Sequence, residues 1–297
     1  MVSTGQVSVL SLCDYLWKLS SSLWLGLEAL RSGRRISSEE FWDSFADEFV
    51  KRVRQDEGIE RFTQWQLSRI EAGPRDVVLD CGCGFGRLSI PLAKRCQVVY
   101  AVDQCKRLLD YLTEFAKIEG VQDRIRVICG KWEKLRPGID IPHTVDVVVV
   151  SHSLELDSLS EGLKFLVNIT GKCCHIFHDV LPLMFEEYHM AVSKILGNDI
   201  LDLYPSPAAI IYLALNALGV CPSVEIFIRK SIVRLRKLED ILHGRISKIL
   251  PVDNPRVRDA VLDVFRKCII EEKSDCVIIE AHRPIAHIWW YSKQQER

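Results

Sequence analysis

No charge of either sign dominates this chain. Its 39 lysines and arginines stand against 40 aspartates and glutamates, a net charge of -1, whereas a domain that grips a nucleic-acid backbone broadly is usually basic. A nucleic-acid partner is therefore not the expectation, although local basic patches remain open. Long apolar runs are missing as well. No stretch reaches the roughly 20 residues needed to cross a bilayer, so no membrane partner is expected. The opening MVSTGQVSVLSLCDYLWKLSSSLWLGLEAL is apolar enough to consider as a targeting segment, but it has no basic leading region, and Asp14, Lys18 and Glu28 interrupt it. There is no low-complexity tract and no internal repeat. Cysteine is the opposite case. Eleven cysteines lack the regular spacing of a disulfide scaffold, and a chain of 297 residues does not need one. Cys96, Cys129 and Cys173 sit in apolar, strand-like runs, where a thiol acts as a small hydrophobe. A reducing, cytoplasmic setting is the expectation.

What is present falls into three parts. Over residues 9–31, Leu12, Leu16, Leu19, Leu23, Leu27 and Leu30 recur at spacings of three and four, the stripe of an amphipathic helix. SSEEFWDSFADEFVKRVRQ predicts a second helix capped by Ser37 or Ser38, and GIERFTQWQLSRI a third. From residue 74 short apolar strands (DVVLDC, QVVYAVD, RIRVICG, VDVVVVSHS, KCCHIFHDV) alternate with helical segments. That alternation predicts an α/β fold with a parallel sheet covered on both faces. After residue 180 two helices, the strand SVEIFIRKSIV, and helices over 237–249 and 255–271 follow. DCVIIEAHR and IAHIWWYS flank Pro284 and predict a terminal hairpin. The expected division is a helical cap over 1–73, a core over 74–180, and acceptor-pocket helices with closing strands of the same sheet over 181–297.

The most informative stretch is VVLDCGCGFGRL, residues 77–88. A metal site is a poor reading: Cys81 and Cys83 have one residue between them, not the two to four of zinc knuckles. In CCHIFH, residues 173–178, strand neighbours point to opposite faces and should not converge. A dinucleotide fingerprint wants a third glycine where Arg87 stands, and Asp80 would repel a pyrophosphate. A ligand with a positive pole suits Asp80 better. A plain glycine turn between strand and helix is the remaining reading. VLDCGCGFGRLSIPLA resembles the first motif of the class I S-adenosylmethionine-dependent methyltransferases, an acid followed by glycines at alternate positions.

The resemblance continues in order. VVYAVD ends in Asp103, which matches the acid that in the family binds the ribose hydroxyls; a carboxylate can accept from two vicinal hydroxyls at once. CGKWEKL stands at the adenine-contacting segment, and VDVVVVSHSLE at the fourth strand and the loop facing donor and acceptor. The likeness covers about residues 40–180, and the ends, FW in the N-terminal helices and AHIWW near the close, are similar to a less studied group of the same family. It implies a Rossmann-like, seven-stranded, mostly parallel sheet with helices on both faces and helical additions at the N-terminus and in the C-terminal half. It implies S-adenosyl-L-methionine as cofactor, S-adenosyl-L-homocysteine as product, and donor contacts from Asp80, Gly82, Cys83, Gly84, Phe85, Gly86, Asp103, Gln104, Lys131, Trp132 and Ser151. One departure is Lys131, where the family often has an acid; adenine contact would fall to Trp132, with Glu133.

Methyl transfer from a sulfonium is an in-line displacement with a neutral leaving group, so the protein mainly orients the acceptor and excludes water. A base is needed only when the acceptor carries a proton at neutral pH. SHSL at 151–154 is not the Asn-Pro-Pro-aromatic motif of many family N-methylases. His152 is the leading candidate for acceptor contact or proton removal, and His178 the next, with Asp179 beside it; a plain loop histidine or polar strand exit is the alternative for each. Glu155 reads as a solvated helix-start acid. Arg229, Lys230, Arg234, Arg236 and Lys237 read as surface charge rather than a site for an anionic acceptor or RNA. Trp42, Phe45, Tyr204 and Tyr212 could line an acceptor pocket or simply pack. The expected function is methyl transfer to a small-molecule acceptor. The alternatives are a non-catalytic scaffold or sensor that binds S-adenosylmethionine, and methylation of RNA or protein.

Overall fold

A computed structural model describes residues 8–19, 38–181, 185–196, 205–243 and 251–292. Three helices come first: α1 over 9–19, α2 at Ser38–Gln55 and α3 at Glu57–Arg69. The core then alternates β1 (Val77–Cys81), α4 (Ser89–Ala93), β2 (Val98–Asp103), α5 (Lys106–Ile118), β3 (Ile125–Cys129), β4 (Val145–Ser151), α6 (Leu159–Ile169) and β5 (Thr170–Asp179). Helices α7 (Glu186–Leu196) and α8 (Pro207–Ala217) precede the long strand β6 (Ser223–Leu235). Helix α9 (Pro255–Arg266), the short β7 (Ile269–Glu272) and the 15-residue β8 (Val277–Tyr291) close the fold.

The sheet order is β3-β2-β1-β4-β5-β8-β6, with β7 pairing β8 off that path. Strands β1 to β5 are mutually parallel, and β8 runs antiparallel to both of its neighbours, β5 and β6. The sheet therefore has eight strands rather than the seven expected, because the outer end of β8 reaches beyond β5 and pairs β7 through Val277–Ile279. β8 also replaces the expected hairpin: the chain runs straight through Pro284. Proline is tolerated there because its carbonyl, accepting from Val180 N at 3.1 Å, points to the β5 side. The missing N–H thus falls just past the last β5–β8 pair, Asp179 with Ile285.

Valines 78, 147, 148, 149 and 150 are wholly buried, as central parallel strands covered on both faces require. One face is packed by α3, α4 and α5, the other by α1, α6 and α8. α1 buries Cys13 and Trp17, while Leu12 is 48% exposed, so its inner stripe is rotated from the leucine register; residues 20–31 of that expected helix lie outside the described residues. Asp14 of α1 accepts from Ser160 N at 2.9 Å and from its hydroxyl at 2.6 Å, which caps α6. Ser37, the alternative cap of α2, also lies outside the described residues. Of the helix expected over 237–249, a 3₁₀ turn at Leu238–His243 is described. Cys129 is exposed at the end of β3 rather than packed. No described helix is long and apolar enough to cross a membrane.

Candidate active site

β1 runs to β2 on one side and neighbours β4 on the other, so the strand order reverses at β1 and a crevice opens beyond the strands' carboxyl ends. A cavity of about 690 Å³ occupies it, within the range of sites that enclose small molecules. Asp80, Gly82, Cys83, Gly84, Phe85, Asp103, Gln104, Lys131, Trp132, Ser151, His152 and His178 all line it. The structure therefore brings together every expected site residue except Gly86. That glycine faces the fold instead: a Cβ there would stand 2.9 Å from Leu112 Cδ1.

The loop after β1 is held by backbone. Gly82 N and Cys83 N both donate to Val102 O, at 2.8 and 3.0 Å. Gly82 has φ +70°, and a Cβ on it would lie 2.1 Å from Ser153 Cβ, so the approach of the β4 loop demands glycine there. Gly84 has φ +55°, with nothing within 4 Å of the same point. Asp103, at the end of β2, accepts from Gly84 N and from Cys105 N, each at 2.9 Å. Each carboxylate oxygen keeps lone-pair capacity beyond that bond. Burial raises the Asp103 pKa against those backbone bonds. Asp80 is more enclosed: its Oδ2 takes the Ser89 hydroxyl at 2.5 Å, and burial pushes its pKa to about 6. The Cys81 and Cys83 thiols are pushed well up by burial, which makes them packing groups rather than nucleophiles. Trp132 is buried, its indole N–H donating to Ser153 O at 3.1 Å.

β4 ends in Ser151, whose hydroxyl accepts from Gln66 at 2.9 Å and from Arg87 at 3.3 Å. His152 follows with φ 55°, a backbone conformation uncommon outside glycine, fixed by its N–H on Phe177 O at 2.9 Å. Its Nδ1 lies 3.4 Å from Arg283 Nη2 and 3.6 Å from Asp179 Oδ2. Its Nε2 is buried with no partner among the described residues. Burial, then the Arg283 charge, push this imidazole down to about 4 despite the pull of Asp179. Arg283 grips Asp179 with two bonds, at 2.5 and 2.8 Å. Burial alone would raise Asp179, but Arg283 and His152 more than offset it and hold the carboxyl well below its usual range. His178 packs edge-on against Trp17 with centroids 5.4 Å apart, and burial lowers its pKa.

Several expectations need correction. Glu155 is not at a helix start: α6 begins at Leu159, capped by Ser158, and Glu155 accepts from Trp42 Nε1 at 3.3 Å. Arg229 is not surface charge. It is 8% exposed, lines the cavity and pairs with Asp56; Lys230 and Arg236, by contrast, do pair on the outside, with Glu280 and Asp240. Trp42 and Phe45 line the cavity, Tyr212 is 38% exposed outside it, and Tyr204 lies outside the described residues. In CCHIFH, Cys173 and His175 do meet at 3.3 Å, because residues two apart share a strand face. His175 continues to His287 at 3.0 Å, and His287 to Glu225 at 3.0 Å. Arg87, Arg283, Phe49 and Phe62 are among the cavity residues the sequence did not single out as site candidates.

A family model described as a methyltransferase domain matches residues 78–170. Over these residues the chain is similar to a methyltransferase domain. The matched segment begins within β1 and ends at the start of β5, so it contains the glycine loop, Asp103 and the β4 loop. An uncharacterised protein of Haemophilus influenzae is 30% identical over 108 residues, covering 35% of this chain and 38% of that protein. A protein of Methanococcus vannielii named for cobalt-precorrin-6B C(15)-methyl transfer is 41% identical over 44 residues, 15% of this chain and 24% of that one. The chain thus matches well under half the length of those relatives. Among solved structures, a Bacillus halodurans protein named as a methyltransferase superposes with a TM-score of 0.52 at 13% identity, over 77% of this chain and 97% of that one, a likeness of fold.

Proposed function

We propose that the protein transfers a methyl group from S-adenosylmethionine to a small molecule enclosed in the cavity. The observation that carries this is Asp103, fixed by two backbone N–H groups at the rim of the glycine loop, with spare acceptor capacity facing the same space as Gly82, Gly84 and His152. The residues present fit the donor. Asp103 would take its ribose hydroxyls, the open side of Gly84 would admit its amino-acid portion, Asp80 would face its positive pole, and Trp132 with Gln104 and Lys131 would bound its adenine. When bound, that group supplies an electrophilic methyl attached to a sulfonium.

The chain's own part is enclosure and orientation. Helices α2 and α3 bring Trp42, Phe45, Phe49 and Phe62 over the cavity, which excludes water and favours a small acceptor over a nucleic-acid track. His152 with a pKa near 4 is neutral at pH 7 and weakly basic, so its role is a hydrogen bond to the acceptor through Nε2 rather than proton removal. His178 serves as a wall beside it. The test is calorimetry with S-adenosylmethionine and S-adenosylhomocysteine, followed by turnover of labelled methyl with candidate acceptors. Binding of both ligands supports the reading; binding of neither would sink it.

A further inference from the structure

Charged side chains of both signs line the cavity, and three arginines converge on one part of it. Along the sheet order, the carboxylates Asp103 and Asp80 belong to β2 and β1, whereas Arg283 and Arg229 rise from β8 and β6 at the other end. Arg87 reaches from the glycine loop to Ser151 at the end of β4, between them. The cations gather around one ring: the guanidiniums of Arg87 and Arg229 lie 5.3 and 5.9 Å from the Phe62 centroid, and the His152 ring lies 6.1 Å from it. Arg283 touches His152 from the far side.

Two of these arginines have carboxylates, Asp179 on Arg283 and Asp56 on Arg229. Even so, the Arg229 Nε is buried with no partner among the described residues. Arg87 is different. Its hydrogen bonds go to Thr63 at 2.8 Å, Gln66 at 2.6 Å and Ser151 at 3.3 Å, all neutral. Asp80 attracts it only through space and gives its own Oδ2 to Ser89. Burial pushes Arg87 down to about 10; the pull of Asp80 opposes this, and Arg229 and Arg283 add to it. A half-buried cation whose hydrogen bonds all go to neutral groups is incompletely compensated, and an anion would complete it. A guanidinium fork matches carboxylate or phosphate oxygens in pairs.

We propose that the acceptor is an anionic small molecule, carrying a carboxylate or phosphate that Arg87 holds with Arg229 and Arg283 at its flanks. Its methylatable atom would then lie beside His152 and face the glycine loop. That placement of the transferring atom rests on the function proposed above, whereas the anion site itself does not. A carboxylate could also come from the donor's own amino-acid portion, and the two sources separate by experiment.

The probes are benzoate, phenyl phosphate and the neutral isostere benzamide, followed by saturation-transfer NMR on the full chain with and without S-adenosylhomocysteine. Both anions should bind, with benzamide at least about tenfold weaker. Arg87→Gln should cost the anions about tenfold or more while S-adenosylhomocysteine affinity moves less than about twofold. Arg87→Lys, which keeps the charge and loses the fork, should fall between. Equal binding of benzamide, a comparison that needs no variant, overturns the proposal. So does an Arg87→Gln loss as large for S-adenosylhomocysteine as for the anions, which would assign the guanidinium to the donor's carboxylate. Anion binding with no S-adenosylhomocysteine binding leaves the arginine site standing and removes methyl transfer.

Discussion

Removing the Asp103 carboxylate should separate donor binding from fold. In the native loop one oxygen takes Gly84 N and the other Cys105 N, and the capacity left over is what two vicinal hydroxyls would use. Asp103→Ala deletes both charge-assisted contacts, an expected loss of about 1.5 to 3 kcal/mol, or roughly ten- to a hundredfold in affinity for S-adenosylmethionine and S-adenosylhomocysteine alike. It also frees two backbone donors. Gly84 lines the cavity, where water can satisfy it cheaply, whereas Cys105 is the buried cap residue of α5. The stability cost should therefore be about 1 to 2 kcal/mol, taken mostly at α5. Calorimetry reads the first quantity and urea unfolding the second. Asp103→Asn retains one acceptor and sets an amide donor against a backbone N–H, so its affinity should lie between wild type and alanine. If Asp103→Ala folds and binds both ligands within about twofold of wild type, the carboxylate does not hold the ribose and the donor pose is wrong.

Three other outcomes follow from the same geometry. Gly82→Ala drives a methyl into Ser153 at positive φ and should destabilise the fold by at least ~2 kcal/mol, seen as a lower midpoint in urea. Gly84→Ala meets no protein atom, so its stability loss should stay near ~1 kcal/mol while donor affinity drops more; equal behaviour of the two variants would contradict a cradle at Gly84. Turnover should show no inflection from His152 between pH 6 and 8, since its pKa lies near 4; a bell with a limb near 6.5 that His152→Asn abolishes would make it the base. Stability should fall on acidification. His152 and His175, depressed to about 4 and about 3, bind protons more readily when unfolded, so their contribution is present above pH 6.5 and lost as pH falls toward those values. Asp80, raised to about 6, has the opposite sign between pH 6 and 4 and offsets part of the loss. Unfolding free energies measured at pH 7 and pH 5 should show a net decrease, and an increase would mean the buried histidines are charged at neutral pH.

The side of the cavity proposed for the donor was legible because it is local. Asp80, the glycine loop and Asp103 lie within 24 residues, and each sits at or just after the end of a strand whose apolar run announces it. The side proposed for the acceptor was not, and β6 shows why. Its outward side chains are Val224, Ile226, Ile228 and Ile232, all more than 40% exposed, while Arg229 and Ser231 are buried with Phe227 and Glu225 turned the same way. Hydrophobic alternation read in the usual sense puts Arg229 in solvent. Only pairing with β8, which brings Arg229 opposite Arg283, and the crossing of α3, which supplies Asp56 and Phe62, reverse that parity. Arg87 was in view but was weighed as a missing glycine, because its meaning depends on Gln66 and Thr63 from α3. The polar groups of that face are tolerated inside the fold because each is answered locally: Glu225 by Arg69 and His287, and Arg229 by Asp56 at the cavity wall. An ordinary core strand would place isoleucine where Arg229 stands, but Arg229→Ile strips Asp56 of its partner and should lower stability, by about 1 to 3 kcal/mol because Asp56 keeps some solvent. In the SAH-loaded protein the same substitution should cost benzoate about tenfold in affinity. A variant that still binds the anion as wild type does would assign Arg229 to the fold alone.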